Sequence, residues 1–230
     1  PQNDLYSDKI DEGLILAQQG KFNMAIEIIE PLAKRKNAEA QYWLFMFYGP
    51  SGLNNERLCI EWLEKAIENE SRDAQFYMAN LYKTEPIESP ENYKKWLYIA
   101  ASNGHPQAQY DLAWSMGAEW FNADISTLTE VIYWFEKAGH NGITKAYANL
   151  GALYDDESAE EEGHVKVLMK MERFANNGNA MAQYNMGWIY ARGLLKGEEL
   201  MQDLKLAKMW FSKSASSGFK DAIDILQNNF

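Results

Sequence analysis

Small and apolar side chains recur along the chain in a fixed phase. Ala40, Ala74, Ala108, Ala146, Ala182 and Ala222 follow one another at intervals of 34, 34, 38, 36 and 40 residues. From Ala74 onward each lies twelve residues after Trp62, Trp96, Trp134, Lys170 or Trp210. Four of them open the same triplet, Ala-Gln-aromatic, at 40, 74, 108 and 182. Within each unit an apolar residue follows the Ala by four, a small one by five, and often a tyrosine by eight (Tyr48, Tyr82, Tyr154, Tyr190). Those spacings fall on one face of an α-helix. The small members of the stripe, Ala79, Ala113, Gly151 and Gly187, permit a neighbouring helix to come close; Phe45 breaks the series.

The second half of each unit repeats a different phrase: an apolar residue, Trp three later, a small residue four after that. Cys59-Trp62-Ala66, Tyr93-Trp96-Ala100, Val131-Trp134-Ala138 and Ala207-Trp210-Ser214 are its instances. Gly104, Gly142 and Gly218 come four residues on, the position of a helix stop, and Asn103 and Asn141 strengthen the turn reading for two of them. The fifth unit keeps the phase with other residues, Val167, Lys170, Phe174 and Gly178. Between the two halves the later units carry extra residues, at 49–55, 84–92, 117–127, 155–163 and 194–202.

Self-similarity at this period predicts helix pairs stacked into a solenoid. The expected fold is an all-α, right-handed α-α superhelix of about six helix pairs with a C-terminal capping helix, in a single domain over 1–230. The first unit, 8–37, is divergent and close to a plain tetratricopeptide unit. The later units span 38–73, 74–107, 108–145, 146–181 and 182–221, and 222–230 is the cap, with Asp221, Asp224, Gln227 and Asn228 as its polar outer face.

Together these positions resemble the Sel-one-like repeat (SLR) family, a relative of the tetratricopeptide repeats. The sixth unit carries the pattern best, in Ala182, Met186, Gly187, Tyr190, Gly193, Ala207, Trp210, Lys213, Ala215, Gly218 and Ala222. The resemblance implies a non-catalytic protein-binding scaffold. It also implies that the first helix of each pair lines a concave surface. Some bacterial proteins with these repeats are immunity-type inhibitors of secreted toxins or lipases, which gives a second reading. A cell-wall enzyme is a third; it needs a polar cluster converging in the concavity, and the sequence offers none.

On the first helix, positions two and six after the opening Ala face away from the paired helix. They read Tyr42 and Met46, Phe76 and Asn80, Tyr110 and Trp114, Ala148 and Ala152, Tyr184 and Trp188. Aromatic residues and Met are the types enriched at interaction hot spots. The expected partner-binding set is therefore Tyr42, Met46, Phe76, Tyr110, Trp114, Ala148, Ala152, Tyr184 and Trp188, with the two alanines forming a recess. The tyrosines have an equally ordinary role as packing residues against the next unit.

Charge narrows the partner. The chain has 33 acidic and 22 basic residues, a net charge of −11, which disfavours nucleic acid and anionic membrane surfaces and suits a basic protein or solubility alone. No apolar run reaches the length of a membrane span. The acidic stretch 155–162 reads as a solvated loop, a contact for a basic partner, or a cation site; it lacks the glycine and alternating oxygens of a calcium loop. His105, His140 and His164 fall at turns or loop edges with no second ligand at metal spacing, and no nucleophile elbow, phosphate loop or dinucleotide fingerprint occurs. No metal, cofactor or catalytic residue is expected. Cys59, three before Trp62, reads as a small core residue rather than a reactive thiol. The expected state is a monomer. The compartment is left open: periplasmic or exported if a leader precedes Pro1, otherwise cytoplasmic.

Overall fold

The computed structural model describes residues 2–84, 87–116, 125–146, 149, 171–193 and 202–229. Among them the regular structure is helical. The helices are α1 (Gln2–Gln18), α2 (Phe22–Ala33), α3 (Ala38–Tyr48), α4 (Glu56–Glu68), α5 (Arg72–Leu81), α6 (Pro90–Ser102), α7 (Pro106–Met116), α8 (Ile125–His140), α9 (Ala180–Arg192), α10 (Leu204–Ser216) and α11 (Lys220–Asn229). Residues 171–176 are also helical. The chain divides into two compact units, residues 1–108 and 109–230. In the first, α1 packs on α2, α3 on α4 and α5 on α6; in the second, α9 packs on α10, α10 on α11, and α8 against α9.

All six recurring alanines, from Ala40 to Ala222, are fully buried. The stripe behind them is buried too: Leu44 and Phe45, Ala79, Leu112 and Ala113, Met186 and Gly187. Gly187 is there for close approach. A Cβ at that position would lie 2.5 Å from the ring of Phe211 on α10, and Phe211 is itself fully buried. Trp62, Trp134 and Trp210 are buried on the second helices, and Ala66, Ala100, Ala138 and Ser214 behind them have no exposed surface. Trp96 departs from this set. It is half-buried, and its neighbour Leu97 fills the core of α6 instead.

The helix starts are chemically alike. Asn37, Ser71 and Asn179 each accept the backbone N–H of the opening alanine three residues on, Ala40, Ala74 and Ala182. Such caps satisfy donors that the helix itself cannot. At the same place before Ala108 the acceptor is a histidine, with Nδ1 of His105 receiving Ala108 N–H at 3.0 Å. Asn55, Ser89 and Asp203 cap α4, α6 and α10 in the same way.

The helix stops are alike in backbone. The left-handed conformation recurs at Lys36, Glu70, Gly104, Gly142, Gly178 and Gly218, at the same intervals as the alanines. Glycine adopts it without strain; Lys36 and Glu70 do not. The phase at Lys36 places the divergent first unit in the same geometric frame as the rest.

The glutamine of the Ala-Gln-aromatic triplet is buried in all four copies, Gln41, Gln75, Gln109 and Gln183. Its Oε1 accepts from the asparagine before the left-handed residue of its own unit: Asn69 to Gln41 at 3.1 Å, Asn103 to Gln75 at 2.9 Å, Asn141 to Gln109 at 2.8 Å. Gln41 and Gln183 donate in turn to the carbonyls of Ala33 and Ala175. The clasp thus ties the end of a second helix to the first helix of its pair. In the last unit Ser217 stands where the asparagine would be, and Gln183 Oε1 has no hydrogen-bond partner.

Candidate functional site

The residues expected to face a partner fall into three kinds of environment. Met46 on α3 and Trp114 on α7 are exposed, Trp114 to 56%. Tyr42, Phe76, Tyr110 and Trp188 are half-buried. Tyr184 is a core residue. It lies at 3% exposure among Tyr133, Phe211, Phe219 and Trp188, so its ring builds the fold of the second unit and offers a partner no surface. Ala148 and Ala152 lie outside the described residues, as do Gly151, Tyr154, Lys170, His164 and the acidic stretch 155–162.

Each half-buried aromatic has an anchor. Phe76 stacks on the imidazole of His105 at 4.1 Å between centroids, and that ring's Nε2 is 3.6 Å from Asp73 Oδ1. Tyr42 packs edge-on to Trp43. Tyr110 stacks nearly parallel to Trp114, at an interplanar angle of 10°, with the Lys145 ammonium 4.0 Å from the Tyr110 ring centroid. Asn149 Nδ2 donates to the Tyr110 hydroxyl at 3.1 Å. Trp114 is therefore carried on a fixed aromatic platform, which lowers the ordering cost of using it as a contact.

The structure also contains a polar cluster that the sequence did not announce. Glu136 on α8 has no exposed surface, and Arg192 at the end of α9 places Nη1 2.5 Å from its Oε2, a close ion pair. Burial pushes the Glu136 carboxyl up to about 7, against the opposing pull of Arg192. His140, the last residue of α8 rather than a turn residue, donates from Nδ1 to the Glu136 carbonyl at 2.7 Å and leaves Nε2 to Arg192 Nη2 at 3.3 Å. Burial, with Arg192 and Lys137 nearby, holds this imidazole below its ordinary value. Trp188 lies against both, 4.2 Å from the His140 ring and 4.8 Å from the Arg192 guanidinium.

Beside this cluster Asp221 of α11 receives Lys137 Nζ at 2.9 Å and the Tyr133 hydroxyl at 3.0 Å. Asp221, expected on the polar outer face of the cap, instead ties α11 to α8. Asp224, Gln227 and Asn228 are exposed. Glu136 sits two residues after its tryptophan, where Glu64 and Tyr98 are exposed in other units. Nothing in the sequence marks it, because its burial depends on α9 covering this face of α8. The carboxyl is walled off from solvent, so its chemistry is that of a tie between two helices.

Cys59 is partly buried in the Trp62 cluster, and burial raises its thiol above the ordinary range, the opposite of an activated nucleophile. Among the described residues no group of three or more His, Cys, Asp or Glu side chains could hold a metal, and no helix is long and apolar enough to cross a membrane.

Buried alanines in phase, recurring caps and a recurring left-handed stop define an all-α helical repeat protein. The Sel1 repeat family model matches residues 38–71, 132–143 and 180–219 of this chain. Repeats of this family bind other proteins. The chain is similar in fold to a Sel1 repeat protein from Oxalobacter formigenes, with 22% identity, 94% of this chain and 88% of that one covered, and a TM-score of 0.51. A protective antigen of uropathogenic Escherichia coli displaying an SLR fold gives 22% identity over 94% of this chain and 47% of its own, with a TM-score of 0.48. An immunity protein from Pseudomonas aeruginosa gives 22% identity over 80% and 67%, with a TM-score of 0.35. No curated protein matches the chain.

Proposed function

We propose that this chain is a non-catalytic adaptor that binds another protein through the outward-facing positions of its first helices, with Trp114 as the anchor in the second unit. The exposure of Trp114 carries the reading. Trp62, Trp134 and Trp210 on the second helices leave only 3–6% of their surface to solvent, whereas Trp114 on a first helix leaves 56%. Keeping a large apolar ring exposed gains nothing for folding, and such rings are the usual anchors of protein interfaces. Met46, Tyr42 and Phe76 supply the corresponding surface in the first unit, and Tyr110 and Trp188 flank the anchor's own unit as supports. The net charge of −11 favours a partner with a basic surface.

The test is affinity capture with the wild-type chain followed by titration calorimetry of the isolated partner against Trp114→Ala. The variant should bind at least tenfold more weakly with an unchanged melting temperature. Equal affinity for the two proteins would remove Trp114 from the interface. Ala152→Arg, aimed at the recess expected beside Ala148, should block binding while the chain still folds. Neutralising Glu160, Glu161 and Glu162 should mainly slow association.

A further inference from the structure

The second helices of the units at 38–71 and 180–219 share one packing skeleton. On α4, Trp62 and Ala66 are buried and the Lys65 ammonium lies 4.3 Å from the Trp62 ring centroid. On α10, Trp210 and Ser214 are buried and Lys213 lies 4.1 Å from the Trp210 ring centroid. Their outer faces differ. At the register of Glu56, Glu61, Glu64 and Glu68 on α4, α10 carries Leu204, Met209, Ser212 and Ser216. Lys65 bonds Glu61 at 2.6 Å, and in the same register Lys213 has Met209. No acidic residue occurs within α10. Leu204, Leu206 and Met209 are 52%, 36% and 39% exposed, and Lys205, Lys208 and Lys213 are exposed among them.

The core does not require this difference, since the same skeleton holds on α4 with four glutamates outside. In a chain of net charge −11, a helix face of lysines and bare aliphatic side chains with no carboxylate is a local inversion of the whole molecule's charge. We infer that the outer face of α10 is a second docking surface, for an acidic protein segment that presents aliphatic side chains between its carboxylates. Charge complementarity selects the acid, and the exposed Leu and Met select the aliphatic groups. Around the helix Lys205 and Lys208 separate Leu204 from the neighbouring pair Leu206 and Met209. The three aliphatic residues cannot enter a bilayer as one apolar strip, and the chain's net charge repels an anionic lipid surface. The fit is therefore to a protein.

The experiment selects from a random library of 15-residue peptides on the full-length chain, with Leu204→Glu/Met209→Glu as the competitor. That variant rewrites the outer face of α10 as α4 has it, and its melting temperature should match wild type. Enriched peptides should combine Glu or Asp with Leu or Ile. By fluorescence anisotropy they should bind the variant at least tenfold more weakly, and Trp114→Ala as tightly as wild type. Failure to enrich peptides, enrichment of peptides without acids, or equal binding to the double variant would overturn the assignment. So would pelleting with phosphatidylserine vesicles in a manner that the double variant abolishes. Failure of the Trp114→Ala test alone would leave this surface standing.

Discussion

Asn103 Nδ2 donates to Gln75 Oε1 at 2.9 Å, across 28 residues of chain, and the same bond joins Asn69 to Gln41 and Asn141 to Gln109. The glutamine is buried each time, so loss of the donor strands an acceptor out of reach of water. Asn103→Ala should cost about 1–3 kcal/mol. Gln75→Met, which removes the acceptor and keeps the volume, should make a further Asn103→Ala change nearly silent. Chemical denaturation of the four proteins of this cycle measures the coupling; additive costs would show that the bond contributes nothing.

The last unit lacks this bond, because Ser217 stands where the asparagine would be. Ser217→Asn supplies a donor to the unpartnered Gln183 Oε1 and should stabilise the second unit by about 1 kcal/mol. An unchanged unfolding midpoint would mean that the clasp geometry does not extend to this copy.

Glu70 has φ of +61° at the position that glycine holds in four later units. Glu70→Gly relieves the left-handed strain, while glycine's greater freedom in the unfolded chain offsets part of the gain. The expected net is a stabilisation of about 0.5–1 kcal/mol. A loss of stability would sink the common backbone frame that links Lys36, Glu70 and the four glycines.

Gly187→Ala has the opposite sign. Alanine is the better helix former by about 1 kcal/mol, yet its Cβ would meet the buried Phe211 ring at 2.5 Å. Overpacking of this kind typically costs about 1–3 kcal/mol, so the variant should be less stable. By the same logic Trp134→Ala should cost about 3–5 kcal/mol, while Trp114→Ala, exposed, should stay within about 0.5 kcal/mol of wild type. Thermal unfolding ranks them, and equal shifts for the two tryptophans would refute the register.

Burial of the Glu136 carboxyl, which outweighs the pull of Arg192, makes stability depend on pH in a direction that can be worked out. The folded-state carboxyl titrates near 7, above its ordinary 4.5, so the folded chain holds more protons in between. Its contribution is full below about 4.5 and is lost as pH rises through about 7, a change of about 3 kcal/mol. His140, held below its ordinary 6.5, acts oppositely: its contribution is present above 6.5 and lost as pH falls. Urea unfolding of His140→Gln at pH 5, 6 and 7 should show stability falling with pH. Glu136→Gln should lack that fall; if both variants keep the same profile, Glu136 is not the titrating group.

The sequence alone determined the repeat. A small residue at every helix crossing, Trp on the second helices and a turn signal four residues past each small residue are requirements of packing at a fixed period, so they recur visibly. The alanines from Ala40 to Ala222 and the stops from Gly104 to Gly218 were legible for that reason. What a residue does within that period was not always legible. Tyr184 and Trp114 occupy outward positions of the same pattern, yet Tyr184 is buried because Phe211 and Phe219 close over it. Glu136 shares its register with the exposed Glu64 and is buried because α9 covers α8. A periodic pattern records contacts within a helix pair and between like neighbours. Whether an outward position is then covered depends on what closes over it, Phe211 and Phe219 at Tyr184 and α9 at Glu136, and only the tertiary structure decides that.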